Sequence, residues 1–123
     1  MSQSIAIVGA SSDPSSMSNK AIRAYRDKGW EVLPITESED EIEGLDCHEM
    51  VMDVIPNIHV ASLYVDPEQG LEALDDCSQK GVAMVYINPG HESDELVEKA
   101  KSLNIEPHVE CCIRALGVDP DTL

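Results

Sequence analysis

A glycine followed by small hydroxyl-bearing residues, directly behind an apolar run, is a pattern that can hold phosphate. Residues 9–12 (Gly9-Ala10-Ser11-Ser12) have it. Gly9 lets the backbone turn sharply out of a strand. The small Ala10, Ser11 and Ser12 let an anion approach main-chain N–H groups, and a following helix points its positive end at the same place. Ser11, Ser12, Ser15 and Ser16 add hydroxyl donors, while Lys20 and Arg23 offer positive charge early in that helix. Ser11 stands where the G-x-G-x-x-G fingerprint has its second glycine, so the loop departs from the dinucleotide-binding pattern. The second apolar run ends in Pro34-Ile35-Thr36 instead of an acidic ribose ligand. Glu37 follows, but it opens an acidic run expected at the surface.

Other reactive residues have plainer readings. His91, behind the Asn88-Pro89-Gly90 turn, has the chemistry of a general acid or base, but it reads as an exposed loop residue. Cys112 reads as a small buried filler; near a bound thiol it would also be placed for disulfide exchange. Cys47-His48 with Cys111-Cys112 matches no common zinc spacing, and no C-x-x-C pair occurs. The expectation is four reduced thiols, no metal site and no catalytic constellation.

The elements that must position these residues follow from periodicity. Residues 4–8 (SIAIV) form a β-branched run that reads as a buried strand. Met17, Ala21, Ala24, Tyr25 and Lys28 recur near helical spacing and stop at Gly29. Residues 30–35 predict a second strand. Residues 36–44 carry five acids and read as a solvated loop, with a short strand at 45–48 and a brief helix from Met50 to before Pro56. Residues 59–65 predict another strand. Asp66 then caps a helix with Pro67 in its first position and Gln69 reaching back; Leu71, Leu74 and Cys77 form its stripe, and Gly81 ends it. A strand at 82–87, a helix capped by Ser93 and a last strand at 105–109 follow. Pro107 puts that last strand at an edge. The tail from Cys112 has no pattern.

Strands alternating with helices predict an α/β fold, a single Rossmann-like doubly wound parallel sheet of five to six strands with helices on both faces. In such a sheet, ligands bind at the carboxyl ends of the strands where the strand order reverses. The loops at residues 9–12, 34–36, 65–67 and 88–90 should meet there.

Composition bounds the rest. The 123 residues suit one domain, here taken as 1–123. Hydrophobic residues make up 42% and aromatics 3%, with no Phe, which fits a buried parallel sheet built from aliphatic side chains. Twenty-four acidic residues stand against eight basic ones, for a net charge of −16. That balance argues against nucleic acid and against an anionic membrane surface. No stretch is apolar enough to span a bilayer, and the start Met1-Ser2-Gln3-Ser4 lacks the pattern of a leader peptide. A cytoplasmic protein is expected. A homodimer is the commonest oligomer for such a domain.

The run from Ile5 to Pro14, with Ser18-Asn19-Lys20 behind it, resembles the start of the small bacterial CoA-binding proteins. These are single-domain proteins similar to the nucleotide-binding domain of the succinyl-CoA synthetase α subunit. Residues 29–35, 41–44, 65–68, 88–90 and 110–112 fall in register with the same family, so the likeness covers nearly the whole chain. The resemblance implies that coenzyme A or an acyl-CoA is the ligand. It places Gly9, Ser11 and Ser12 at phosphate, Pro34, Ile35 and Thr36 near the adenosine, and Val65, Pro67, Asn88, Pro89 and Gly90 along the pantetheine path. The synthetase's phosphohistidine belongs to a different domain, so binding without catalysis is the expected role. Two other readings stand beside it: an oxidoreductase using a nicotinamide nucleotide, and a protein that keeps the fold but acts through a protein partner.

Overall fold

A computed structural model describes residues 3–55 and 57–123. Pro56, expected to close the brief helix after Met50, lies outside the described residues, as do Met1 and Ser2. Five strands form one parallel sheet: β1 (Ser4–Val8), β2 (Glu31–Ile35), β5 (Val60–Leu63), β6 (Met84–Ile87) and β7 (Glu106–His108). Their order across the sheet is β2-β1-β5-β6-β7. The chain therefore builds outward to one side of β1, crosses back, and builds outward on the other side.

The period of two in β1 explains why helices cover both faces. Ile5 and Ile7 join a core that includes Ala21, Ile22, Ala24 and Tyr25 of α1 (Met17–Asp27) and Ile113 of α4 (Cys112–Ala115). Ala6 and Val8 join the opposite core, with Ala73, Leu74 and Cys77 of α2 (Pro67–Gln79) and Leu96 and Ala100 of α3 (Asp94–Ser102). A strand sandwiched in this way must be apolar at every position, as the run SIAIV nearly is. Ser4, its polar member, is buried, and its hydroxyl donates to the Asn57 carbonyl at 2.6 Å.

Local chemistry starts and stops the helices where the sequence indicates. The Ser16 hydroxyl accepts from the Asn19 amide at 3.2 Å and caps α1. Asp66 accepts from the Gln69 amide at 2.9 Å and Pro67 opens α2. Ser93 caps α3 through the Leu96 amide at 3.2 Å. Each such cap satisfies a donor the helix cannot reach itself.

Four expectations change. The strand expected at 45–48 does not join the sheet as a sixth member. Instead β4 (Leu45–Asp46) pairs antiparallel with β3 (Glu41–Ile42) in a small hairpin, and only His48 bridges to Ile35 of β2. Glu43 and Gly44 both have positive φ, 53° and 78°. That geometry suits a two-residue hairpin turn and folds the segment back on itself. Ile42 anchors the hairpin in the α1-side core, so the acidic segment is only partly a solvated loop. The patternless tail also carries structure, in α4 and a 3-10 turn at Pro120–Thr122. Met50 to Ile55 holds a single 3-10 turn, Val51–Asp53. Pro107 lies in β7, at the sheet edge as expected.

Candidate functional site

The strand order reverses between β1 and β5, which is where a doubly wound sheet opens a crevice at its carboxyl end. The loops leaving these strands diverge to α1 on one face and α2 on the other. Gly9 marks the split. Its φ is 87°, and a Cβ built there would lie 2.4 Å from the Tyr64 carbonyl oxygen. The Tyr64 amide donates to the Val8 carbonyl at 2.8 Å, so the two backbones touch before they part.

The loop from Gly9 to Ser16 is held internally. The amides of Gly9 and Ala10 both donate to the Ile35 carbonyl, at 3.0 and 3.1 Å, and tie the loop to β2. Those two N–H groups are therefore engaged within the fold, whereas the Ser11 amide makes no hydrogen bond among the described residues. The Ser12 amide donates to the Glu39 carboxylate at 3.0 Å, so the loop already holds an anion supplied by the chain. Asn19, fully buried, donates to the Ser11 carbonyl at 3.0 Å and accepts from Arg23 Nε at 2.8 Å. Arg23 also donates to the Pro14 carbonyl at 2.8 Å. Arg23 thus braces the loop and keeps its positive charge beside it, since both acceptors are neutral. The Glu39 contact joins residues 27 positions apart, which is why the sequence does not announce it, whereas in these contacts Asn19 reaches Ser11 and Arg23, close by in the chain.

A cleft of about 440 Å³ opens where β1 and β2 end. Val8, Gly9 and Ala10 line it from β1, and Ile35, Thr36 and Glu37 from β2. Val65, Gln69 and Ala73 line it from the α2 side. Glu49, Glu72 and Asp76 add carboxylates. Glu37, expected at the surface, is exposed and also borders this cleft.

A second cavity of about 380 Å³ is lined by Met17, Tyr64, Asn88, Pro89, His91, Cys111, Arg114, Pro120 and Asp121. Of the sequence candidates, Gly9, Ala10, Ile35, Thr36 and Val65 come together in the first cavity, and Asn88 and Pro89 in the second. Ser11, Ser12 and Lys20 lie on the loop and first turn of α1, outside both linings. Pro34 is buried in β2, and Pro67 and Gly90 are exposed and line neither.

Asn88 has a structural task as well. Its Nδ2 donates to Ser62 Oγ at 2.7 Å and to the Leu63 carbonyl at 2.9 Å, and its Oδ1 accepts from the Cys112 amide at 3.0 Å. Both amide donors are therefore in use, bolting the end of β6 to β5 and to the start of α4. Tyr25 donates to the Cys112 carbonyl at 2.7 Å from the other side. Tyr64 OH lies 3.2 Å from Cys112 Sγ. Burial pushes the Cys112 thiol up to about 11, which keeps it protonated and unreactive at neutral pH. His91 Nδ1 lies 3.0 Å from the Val65 carbonyl and donates to it, since a carbonyl only accepts. Among the described residues, no group of three or more His, Cys, Asp and Glu is placed to hold a metal ion. No helix among them is long and apolar enough to cross a membrane.

The architecture is that of a Rossmann-like α/β domain with a crevice at its topological switch point. Residues 3–117 match the model of the CoA binding domain family, and the chain belongs to that family. The chain is 30% identical over 111 residues to an ADP-forming acetate–CoA ligase of Methanocaldococcus jannaschii, covering 84% of this chain and 16% of that protein. It is 28% identical over 84 residues to the α subunit of ADP-forming acetate–CoA ligase II of Pyrococcus furiosus, covering 68% of this chain and 18% of that one. The chain thus spans about a sixth of the length of these relatives. Among solved structures, a conserved hypothetical protein from Pyrococcus furiosus superposes with a TM-score of 0.82 at 30% identity, over 92% of this chain and 98% of that one. The dinucleotide-forming acetyl-coenzyme A synthetase 1 of Ca. Korarchaeum cryptofilum, in complex with phosphate and ADP, superposes with a TM-score of 0.77 at 32% identity, over 88% of this chain and 25% of that one.

Proposed function

We propose that this chain binds coenzyme A or an acyl-CoA in the crevice, without carrying out chemistry on it. In this reading the diphosphate sits at the loop from Gly9 to Ser16, the adenosine enters the cleft at Ile35 and Thr36, and the pantetheine arm runs past Val65 toward Asn88 and Pro89. The family match over residues 3–117 is the observation that carries it. Three features support it: the close approach at Gly9 that opens the crevice, the Ser12 amide already engaged with a carboxylate, and two separate cavities at the strands' carboxyl ends. The absence of catalysis is supported by the engagement of His91 with a backbone carbonyl and by the buried, protonated Cys112 thiol. A CoA-binding unit of this size would present or sense its ligand, and acyl transfer would fall to other domains.

The test is a thermal-shift titration with CoA, acetyl-CoA, NAD and NADP. A ligand that binds only the folded state stabilises it by about 2.7 kcal/mol at a hundred times its Kd. The melting temperature should rise with CoA or acetyl-CoA, and the rise should vanish in Ser11→Asp or Ser12→Asp. A rise with NAD alone would replace this reading with a nicotinamide-dependent one.

A further inference from the structure

The nucleotide end of the crevice has a charge pattern that bears on which CoA-like molecule it takes, an inference that rests on the CoA-type reading above. Four carboxylates, the exposed Glu37, Glu49 and Glu72 and the half-buried Asp76, line the cleft at the ends of β1 and β2, and among the described residues no Lys, Arg or His lines it. Several of the chain's cations are committed elsewhere. Arg23 braces Asn19 and Pro14, Arg26 pairs with Glu43, Lys80 donates to the Val54 carbonyl, and Lys99 pairs with Asp75. Arg114 lines the other cavity.

Coenzyme A carries a phosphomonoester on its ribose 3′ oxygen, with a charge of about −1.5 to −2 at neutral pH, as for other phosphomonoesters. Seating it among four carboxylates with no cation in the lining is unfavourable. An unphosphorylated ribose meets the same lining on good terms, because its 2′ and 3′ hydroxyls donate and carboxylates accept. Glu37 stands two residues beyond the end of β2. In dinucleotide-binding α/β folds, the acidic residue that bonds the ribose hydroxyl is reached at the end of that strand. We propose that this crevice selects an adenine diphosphate ester with free ribose hydroxyls, of the dephospho-CoA type, over 3′-phosphorylated CoA, with Glu37 as the ribose ligand.

Isothermal titration of the full chain with dephospho-CoA and with CoA, in EDTA to remove divalent cations, tests this. At about 0.01 M salt the screening length is about 30 Å, and at about 1 M it is about 3 Å. Dephospho-CoA should bind at least about tenfold more tightly at low salt, the equivalent of about 1.4 kcal/mol, and the margin should shrink at high salt. Glu37→Arg should reverse the preference in favour of CoA. CoA binding as tightly as dephospho-CoA, or more tightly, overturns the selectivity and leaves the CoA-type reading standing. Binding of neither, to a chain that unfolds cooperatively, overturns that reading and the selectivity with it. The wild-type comparison decides the matter by itself if Glu37→Arg lowers cooperativity, and Glu49→Lys then serves as the second variant.

Discussion

Replacing Gly9 with alanine separates two demands that this position makes on the chain. The first is conformational. A φ of 87° lies in the left-handed region, where an L side chain costs about 1–2 kcal/mol. The second is steric. The new Cβ would sit 2.4 Å from the Tyr64 carbonyl oxygen and 2.9 Å from both the Tyr64 carbonyl carbon and Val65 Cγ1. Val65 can rotate away, but the Tyr64 carbonyl is main chain, held by its own amide's bond to Val8. The ends of β1 and β5 must part, and overpacking of this kind costs about 1–3 kcal/mol. The sum is about 2–5 kcal/mol. Gly29 supplies the control: its φ is 88° and nothing lies within 4 Å of its Cβ position. Gly29→Ala should therefore show only the conformational part, about 1–2 kcal/mol. Both changes reduce the freedom of the unfolded chain equally, so that contribution cancels in the comparison. At about 3–6 °C per kcal/mol for a domain of this size, the steric part of about 1–3 kcal/mol should make Gly9→Ala melt roughly 3–18 °C below Gly29→Ala. Thermal and urea unfolding followed by circular dichroism measure this. Equal losses for the two variants would show that close approach of β1 and β5 does not shape the crevice.

Three other outcomes follow from the contacts. Glu39→Ala frees the Ser12 amide and removes a charge from the loop between Gly9 and Ser16, so on the proposed reading CoA should bind about three- to tenfold more tightly at low salt; weaker binding by calorimetry would mean that Glu39 supports the loop. Asn88→Ala leaves three buried partners unsatisfied and should cost about 2–4 kcal/mol in urea unfolding, a loss under about 1 kcal/mol contradicting the bolt. Burial pushes the Cys77 thiol up to about 12 and the Cys112 thiol up to about 11, and raises Tyr25 and Tyr64 as well. These groups stay protonated when folded but ionise at their ordinary values when unfolded. Their contribution is thus complete below pH 9.0, the ordinary thiol value, and is lost as pH rises toward about 11 and 12. The melting temperature should fall steadily above about pH 9, and a flat profile to about pH 10.5 would refute it.

What the sequence determines by itself is local. The run SIAIV reads as a strand buried on both faces because all but one of its residues are apolar. Asp66-Pro67 and Ser93 announce helix starts because a cap bonds an amide three residues on. Gly9 behind a strand signals a turn that only glycine makes easily. From these elements, the doubly wound order and the meeting of loops at one end of the sheet follow. The family resemblance, spread over short motifs in a fixed order, was legible for the same reason.

Tertiary structure decided whatever depends on groups distant in the chain. Residues 36–44 look like a charged loop ahead of a short strand at 45–48, but Glu41–Ile42 pairs with Leu45–Asp46 in a hairpin because Ile42 finds a buried site against α1. Glu39 meets Ser12 across 27 positions, and Asn88 meets Cys112 across 24. Arg23, read as a source of positive charge, also braces the loop. Glu37 is exposed, as its acidic run suggests, and only the convergence of β2 and α2 puts it at the rim of the cleft. A side chain's type is written in the sequence, but its partners and the charge around it exist only once the sheet has brought the strand ends together.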